Sequence, residues 1–221
     1  TALSLVAGSA FANEPTGYVS LGFLAGTTQL KSKAMDGTNN GTVRPRPMGG
    51  EIAFGTYANP EIRAEVAISY TKGKKNYRAS TTALGTVTTT AARYDLKKWD
   101  LMVNGYYDFK NTSVVTPYLM AGIGFDNYKV SAKATEEKSV NGTTISKEAI
   151  KYSTKSKTSV AYQLGLGVEA KVADNVKVGL GYRYRGGFSN RFKIKNANGQ
   201  IVSKLTVKPA HLFLANVKFE F

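Results

Sequence analysis

Apolar and polar residues alternate one for one along most of this chain, in segments of about ten residues, a period that belongs to strands with two unlike faces. Val19, Leu21, Phe23 and Ala25 form one face of the first segment, with Tyr18, Ser20, Gly22 and Gly26 opposite. Ile52, Phe54 and Thr56 are set against Glu51, Ala53 and Gly55, and Ile62, Ala64, Val66, Ile68 and Tyr70 against Arg63, Glu65 and Ser69. Trp99, Leu101, Val103 and Tyr107 oppose Asp100, Asn104, Tyr106 and Asp108. Leu119, Ala121, Ile123 and Phe125 oppose Tyr118, Met120, Gly122, Gly124 and Asp126. Tyr162, Leu164, Leu166 and Val168 stand against Gln163, Gly165, Gly167 and Glu169, and Val178, Leu180, Tyr182 and Tyr184 against Lys177, Gly179, Gly181, Arg183 and Arg185. The last segment sets Phe213, Ala215, Val217, Phe219 and Phe221 against Leu212, Leu214, Asn216, Lys218 and Glu220.

The connectors between these eight segments run long, short, long, short, long, short, long. The short ones, Ala58 to Glu61, Phe109 to Ser113 and Ala173 to Asn175, are rich in turn formers, and the long ones are polar. Such an alternation fits an all-β, eight-stranded antiparallel up-and-down transmembrane β-barrel, whose strands meet lipid on one face and whose backbone groups all pair within a closed sheet. Inward glycine pairs at 122 and 124, 165 and 167, and 179 and 181 suit a narrow lumen. Residues 1–12 read as the remnant of a signal peptide ending in Ala10-Phe11-Ala12, which leaves 13–221 as the barrel domain.

Composition changes this picture in one respect. The chain holds 30 Lys and Arg against 15 Asp and Glu, a formal charge of +15. In a soluble fold such an excess would suggest nucleic acid, but here the four long connectors (30–48, 72–98, 129–158 and 185–208) together carry roughly +19, more than the whole chain. The excess is therefore expected on one rim of the barrel, where it would attract polyanions other than nucleic acid. The candidate contacts are Lys72, Lys74, Lys75, Arg78, Lys97 and Lys98 in the second connector and Arg191, Lys193, Lys195 and Lys204 in the fourth.

Inside the barrel both signs of charge occur, and the expected arrangement is a plug of ion pairs among Glu51, Arg63, Glu65, Lys177 and Arg183, with Glu51 facing Arg63 and Glu65 from the next strand. Lys171 is counted among the inward cations as well. Cysteine is absent and His211 is the one histidine, so neither a thiolate nor a multi-histidine metal site can form. No cofactor and no enzymatic activity are expected.

The segments Thr-Pro-Tyr-Leu-Met-Ala-Gly-Ile-Gly-Phe (116–125), Tyr-Gln-Leu-Gly-Leu-Gly-Val-Glu-Ala (162–170) and Val-Gly-Leu-Gly-Tyr-Arg-Tyr (178–184), with Phe221, resemble the opacity-type and OmpA-like eight-stranded surface proteins. The basic, Lys- and Thr-rich connectors are most similar to those of rickettsial surface adhesins. The resemblance implies a monomeric barrel in the bacterial outer membrane, with its long loops extracellular. It also implies contact with lipid and lipopolysaccharide, and recognition of the Phe221 segment by the barrel assembly machinery. The function it implies is adhesion to host-cell surface proteins or sulfated glycans. A structural or weakly porin-like barrel is the alternative.

Overall fold

The computed structural model describes residues 16–34, 40–83, 86–140, 143–153, 156–189, 191–195 and 201–221. The signal-peptide expectation for 1–12 lies outside them. Thirteen strands are formed among the described residues: β1 (Gly17–Thr27), β2 (Leu30–Ala34), β3 (Asn40–Val43), β4 (Arg46–Tyr57), β5 (Ile62–Ala83), β6 (Thr86–Asp108), β7 (Val115–Val140), β8 (Thr143–Ser153), β9 (Lys157–Ala173), β10 (Val176–Gly187), β11 (Arg191–Lys195), β12 (Ile201–Val207) and β13 (Ala210–Glu220).

Eight of them, β1, β4, β5, β6, β7, β9, β10 and β13, close into an antiparallel barrel, each paired with its neighbour and β6 with β7 to complete the ring. Period-two patterning sets which side chain faces out. Phe23, Ile52, Phe54, Ile123, Leu180 and Phe213 are each at least half exposed on the outer wall, as a lipid-facing belt requires. Their strand neighbours Glu51, Ala53, Arg183, Leu212 and Leu214 are buried within.

At one end the strands are joined by tight turns built on asparagine. Asn59 Oδ1 accepts from the backbone N–H of Glu61 (2.9 Å) and Ile62 (2.7 Å), and Asn111 Oδ1 accepts from Ser113 N–H (2.8 Å). The opposite, loop end differs from expectation. The long connectors are largely strands rather than irregular loops. β5 and β6 continue pairing up to Ala83 and Thr86, far beyond the apolar belt, and β7 continues to Val140 and pairs with β8. A separate four-stranded sheet, in the order β11-β12-β2-β3, joins the first and fourth connectors. Alternating Thr, Ala and Lys offers no apolar face, yet a growing ladder satisfies every backbone group, so pairing proceeds without the hydrophobic signal.

The lumen is narrow enough that glycine is required beside tyrosine. A β-carbon at Gly181 would sit 2.4 Å from the Tyr118 hydroxyl, and one at Gly167 would sit 2.5 Å from it. The Gly181→Val variant is therefore expected to lose about 1–3 kcal/mol of stability by overpacking. Urea unfolding of the refolded barrel would measure it, and an unchanged midpoint would show that the lumen has slack at Tyr118.

Candidate functional site

Two ion-pair networks fill the lumen, one toward each end, and Glu65 joins them through Tyr18 to Arg63 and through Tyr106 to Arg183. Toward the turn end, Arg63 Nε lies 2.9 Å from Asp108 and its Nη2 lies 2.9 Å from Glu169. Lys218 Nζ donates to Glu169 at 2.5 Å, and Lys177 reaches Glu220 at 2.8 Å. Tyr57 also bonds Glu220. Toward the loop end, Arg183 Nη1 lies 2.8 Å from both oxygens of Glu51. Arg185 bridges Glu51 (3.3 Å), Asp100 (3.1 Å) and Gln163 (2.8 Å), and Lys98 reaches Asp100 at 2.6 Å.

The partners differ from those expected at three residues. Glu51 is registered with Ser69, whereas Arg63 is registered with Tyr57, so Glu51 and Arg63 lie six residues apart along the wall and belong to different networks. Among the described residues Glu65 makes no ion pair. It accepts instead from Tyr18 Oη (3.0 Å), Asn104 Nδ2 (3.0 Å) and Tyr106 Oη (2.7 Å), three donors that satisfy a buried carboxylate. Lys171 is not inward. It is exposed at the turn end beside Asp174, 3.5 Å away, where the ladder shifts register at Val176 and Lys177.

Above the networks an apolar cluster of Leu30, Leu96, Tyr128, Val130, Leu205 and Val207 covers the loop end of the lumen. Planar-bilayer recording is accordingly expected to show no stable nanosiemens-scale opening, because eight strands leave room for side chains and little else. Steady large openings would mean that both the networks and this cover part.

Leu30, Leu205 and Val207 come from the four-stranded sheet, which is amphipathic. Its opposite parity carries the cations. Lys193 is registered with Lys204, and Lys204 with Lys33. Two residues along, Arg191 faces Thr206, which faces Lys31. Lys31, Lys33, Arg191 and Lys204 are all exposed. Like charges directly opposite on neighbouring strands repel.

The expected contact residues divide by location. Lys74, Lys75 and Arg78 are exposed on β5 and Lys97 on β6, while Lys72 is half-buried. Arg191 and Lys204 lie on the four-stranded sheet; the side chains of Lys193 and Lys195 fall outside the described residues. Lys98 is a correction. It is buried and points into the lumen between Asp100 (2.6 Å) and Asp126 (3.7 Å), so it cannot meet a ligand outside. The parity of Trp99 and Leu101 carries that information, since a strand that continues through Lys97 must turn Lys98 inward. Lys31 and Lys33 were not among the expected contacts, and only the pairing of β12 with β2 brings them to Lys204. His211 lies on the outer wall, its Nδ1 2.6 Å from the Tyr182 hydroxyl and its ring against Tyr184.

The sequence model described as the outer membrane protein beta-barrel domain matches residues 1–221. A Rickettsia conorii protein, named only as uncharacterized, is 31% identical over 135 residues, 60% of this chain and 55% of that protein. A Rickettsia bellii protein, provisionally named an adhesin, is 29% identical over 178 residues, 77% of this chain and 74% of that protein. The chain thus spans just over half the length of the first of these and about three quarters of the second. Among solved structures, the outer membrane protein OprG from Pseudomonas aeruginosa superposes with a TM-score of 0.56 at 12% identity, over 94% of this chain and 97% of that one. That likeness is one of fold.

Proposed function

Because the chain belongs to the outer membrane protein beta-barrel domain family, we propose that it is an outer-membrane adhesin, an inert barrel whose extracellular loop end binds polyanionic groups on host-cell surfaces, sulfated glycans or acidic protein segments. The observation that carries this reading is the cationic face of the sheet formed by β11, β12, β2 and β3, with Arg191, Lys204, Lys31 and Lys33 aligned across strands. The arrangement is stiff, because its other face is anchored in the apolar cover of the lumen. Ordered charges bind with less loss of side-chain and backbone freedom than charges on a flexible loop. Lys74, Lys75 and Arg78 on the β5–β6 hairpin extend the same field. The provisional name of the Rickettsia bellii relative supports the reading.

The interior networks serve a different purpose in this proposal. They consume the inward charges in pairs and leave the loop-end field to the outward ones. The test is attachment of the purified barrel to host cells and to immobilised heparin across a salt series. Binding that falls steeply between low and physiological salt supports the reading, since exposed charges are screened over about 8–10 Å in that range. Attachment independent of salt would refute an electrostatic mechanism.

A further inference from the structure

β5 has a strand on each side only as far as Lys74. Its ladder with β4 ends where Arg46 is registered with Lys74, because the chain before Arg46 turns away into β3 and the four-stranded sheet. Pro45 is buried at that departure, and its carbonyl accepts from Thr28 N–H at 3.2 Å. On the other side the ladder with β6 continues to Ala83 without a register shift. Among the described residues no other strand is registered with β5 beyond Lys74, so one edge stays open. The turn at its foot shows which backbone groups face that edge. Ile62 O accepts from Ala58 N–H at 2.8 Å and Ile62 N–H donates to Asn59 O at 3.3 Å, while Glu61 O accepts from Asp108 N–H at 2.7 Å. Backbone groups alternate in direction along a strand, so the even-numbered residues of β5 address β4 and the odd-numbered ones β6. Lys74 is the last even-numbered residue with a partner. Asn76, Arg78, Ser80 and Thr82 therefore present N–H and C=O to the open side over about 20 Å, and all four are exposed.

Open edges are ordinarily blunted by brevity, by proline or by a bulge. The other edges above the barrel follow that rule. β3 has four residues, β11 has five and shifts register against β12 between Ile194 and Lys195, and β8 shifts register against β7 between Lys138 and Ser139. The β5 edge from Lys75 to Ala83 is regular and contains no proline. It is guarded by charge alone. Lys74, Lys75 and Arg78 lie along it and Arg44 and Arg46 at its foot, all exposed. From Val66 to Ala83 and from Asn40 to Gly50 the sequence holds no carboxylate. Asp95, registered with Lys74 on β6, is taken by Arg93 at 3.2 Å. A second copy laid along the same edge would set these cations against their equals, which repels, whereas an acidic strand would meet them favourably.

We infer that the open edge of β5 between Asn76 and Thr82 takes up an extended acidic segment of a protein partner as an additional strand, in line with β4 and beyond its end. The N–H and C=O groups of four alternate residues pair with the main chain of the guest, which gives affinity, and the flanking cations select for Asp and Glu in its side chains. The site is separate from the cationic face of the β11-β12-β2-β3 sheet and works by a different bond. It rests on the adhesive reading only in that the partner is a protein of the host surface. Charge brings the guest in, and backbone pairing fixes its direction and register.

The probe is a fluorescently labelled synthetic peptide of about seven residues, Glu and Val in alternation, long enough to run from Asn76 to Thr82. Its binding to the whole refolded chain in detergent micelles is followed by anisotropy at physiological salt. An analogue N-methylated at every residue keeps the charge and loses the donors, and it is expected to bind at least about tenfold more weakly. Ser80→Pro removes one N–H from the open side without altering charge or the ladder with β6, a place where proline is tolerated. It is expected to weaken the peptide about tenfold while heparin attachment and heat-dependent gel mobility stay as in the wild type. Lys74→Glu together with Arg78→Glu should turn the preference toward a peptide of alternating Lys and Val. If Ser80→Pro does not refold, the methylated peptide, which needs no variant, decides. Equal binding of the parent and methylated peptides would overturn strand addition, and so would a folded Ser80→Pro variant that binds like the wild type. A wild-type dimer that Ser80→Pro dissolves would give the edge to a second copy, and heparin binding that Ser80→Pro weakens would give it to glycans; either overturns the assignment to a peptide. Heparin attachment without peptide binding sinks this site and spares the adhesive reading. Peptide binding without attachment to host cells sinks the adhesive reading and leaves strand addition standing.

Discussion

Glu51→Ala is expected to destabilise the barrel by about 3–5 kcal/mol, the penalty for leaving a buried charge without its partner. Arg183 is buried and its one carboxylate partner among the described residues is Glu51, with both oxygens at 2.8 Å from a single guanidinium nitrogen. Arg185 also loses a contact but keeps Asp100 and Gln163. The loss should therefore centre on Arg183. Lys177→Ala is the informative contrast. Lys177 is about a quarter exposed, so its pair with Glu220 is partly solvated and its loss should cost under about 1 kcal/mol. Urea unfolding followed by the heat-dependent gel mobility of the refolded protein measures both. Equal midpoints for the two variants would show that water reaches Arg183 and that the loop-end network is no plug.

Reversing Lys31, Lys33, Arg191 and Lys204 to glutamate is expected to weaken binding to heparin or host cells by about a hundredfold at physiological salt. Four cations near an anionic surface at about 1 kcal/mol each would give more than this, but screening and incomplete engagement reduce it. The barrel itself should be unaffected, because these side chains are exposed and none of them lies on a barrel strand. Heat-dependent mobility identical to wild type is thus the internal check. A folded four-residue variant that attaches as well as wild type at every salt concentration would return the chain to a structural role.

The barrel was legible in the sequence because each spanning strand carries an apolar face, and Phe213, Ala215, Val217 and Phe219 show it as plainly as any. The extensions beyond the belt were not, because Asn76 to Ala92 offers chiefly Thr, Ala and other small or polar residues on both faces while pairing nonetheless continues from Asn76 with Arg93 to Ala83 with Thr86. The inward charges were legible as a set, since parity assigns a face. Their partners were not, because partners depend on the stagger between strands and on reach across the lumen. Thus Glu51 meets Arg183, more than a hundred residues away, instead of Arg63. The cationic sheet was least legible of all. Lys204 and Lys33 lie on connectors at opposite ends of the chain, and nothing in either stretch alone announces that β12 will pair with β2.

The short passage from that sheet into the barrel wall also bears on mechanics. Only Thr28 and Gln29 separate β1 from β2, and only Lys208 and Pro209 separate β12 from β13. The two crossings are tied by Thr28 Oγ1 donating to Lys208 O at 2.8 Å and by Lys208 N–H donating to Gln29 O at 2.8 Å. β1 and β13 are themselves paired from Tyr18 with Glu220 to Thr27 with His211. A tensile load applied to the sheet by an attached cell would pass through these crossings and along both strands together. Drawn upward side by side, β1 and β13 would share the load with β4 and β10 along the whole length of their ladders, in shear, so that many hydrogen bonds must yield at once. A bacterium dragged by flow would then be expected to lose its grip at the ionic contact before the barrel wall tears.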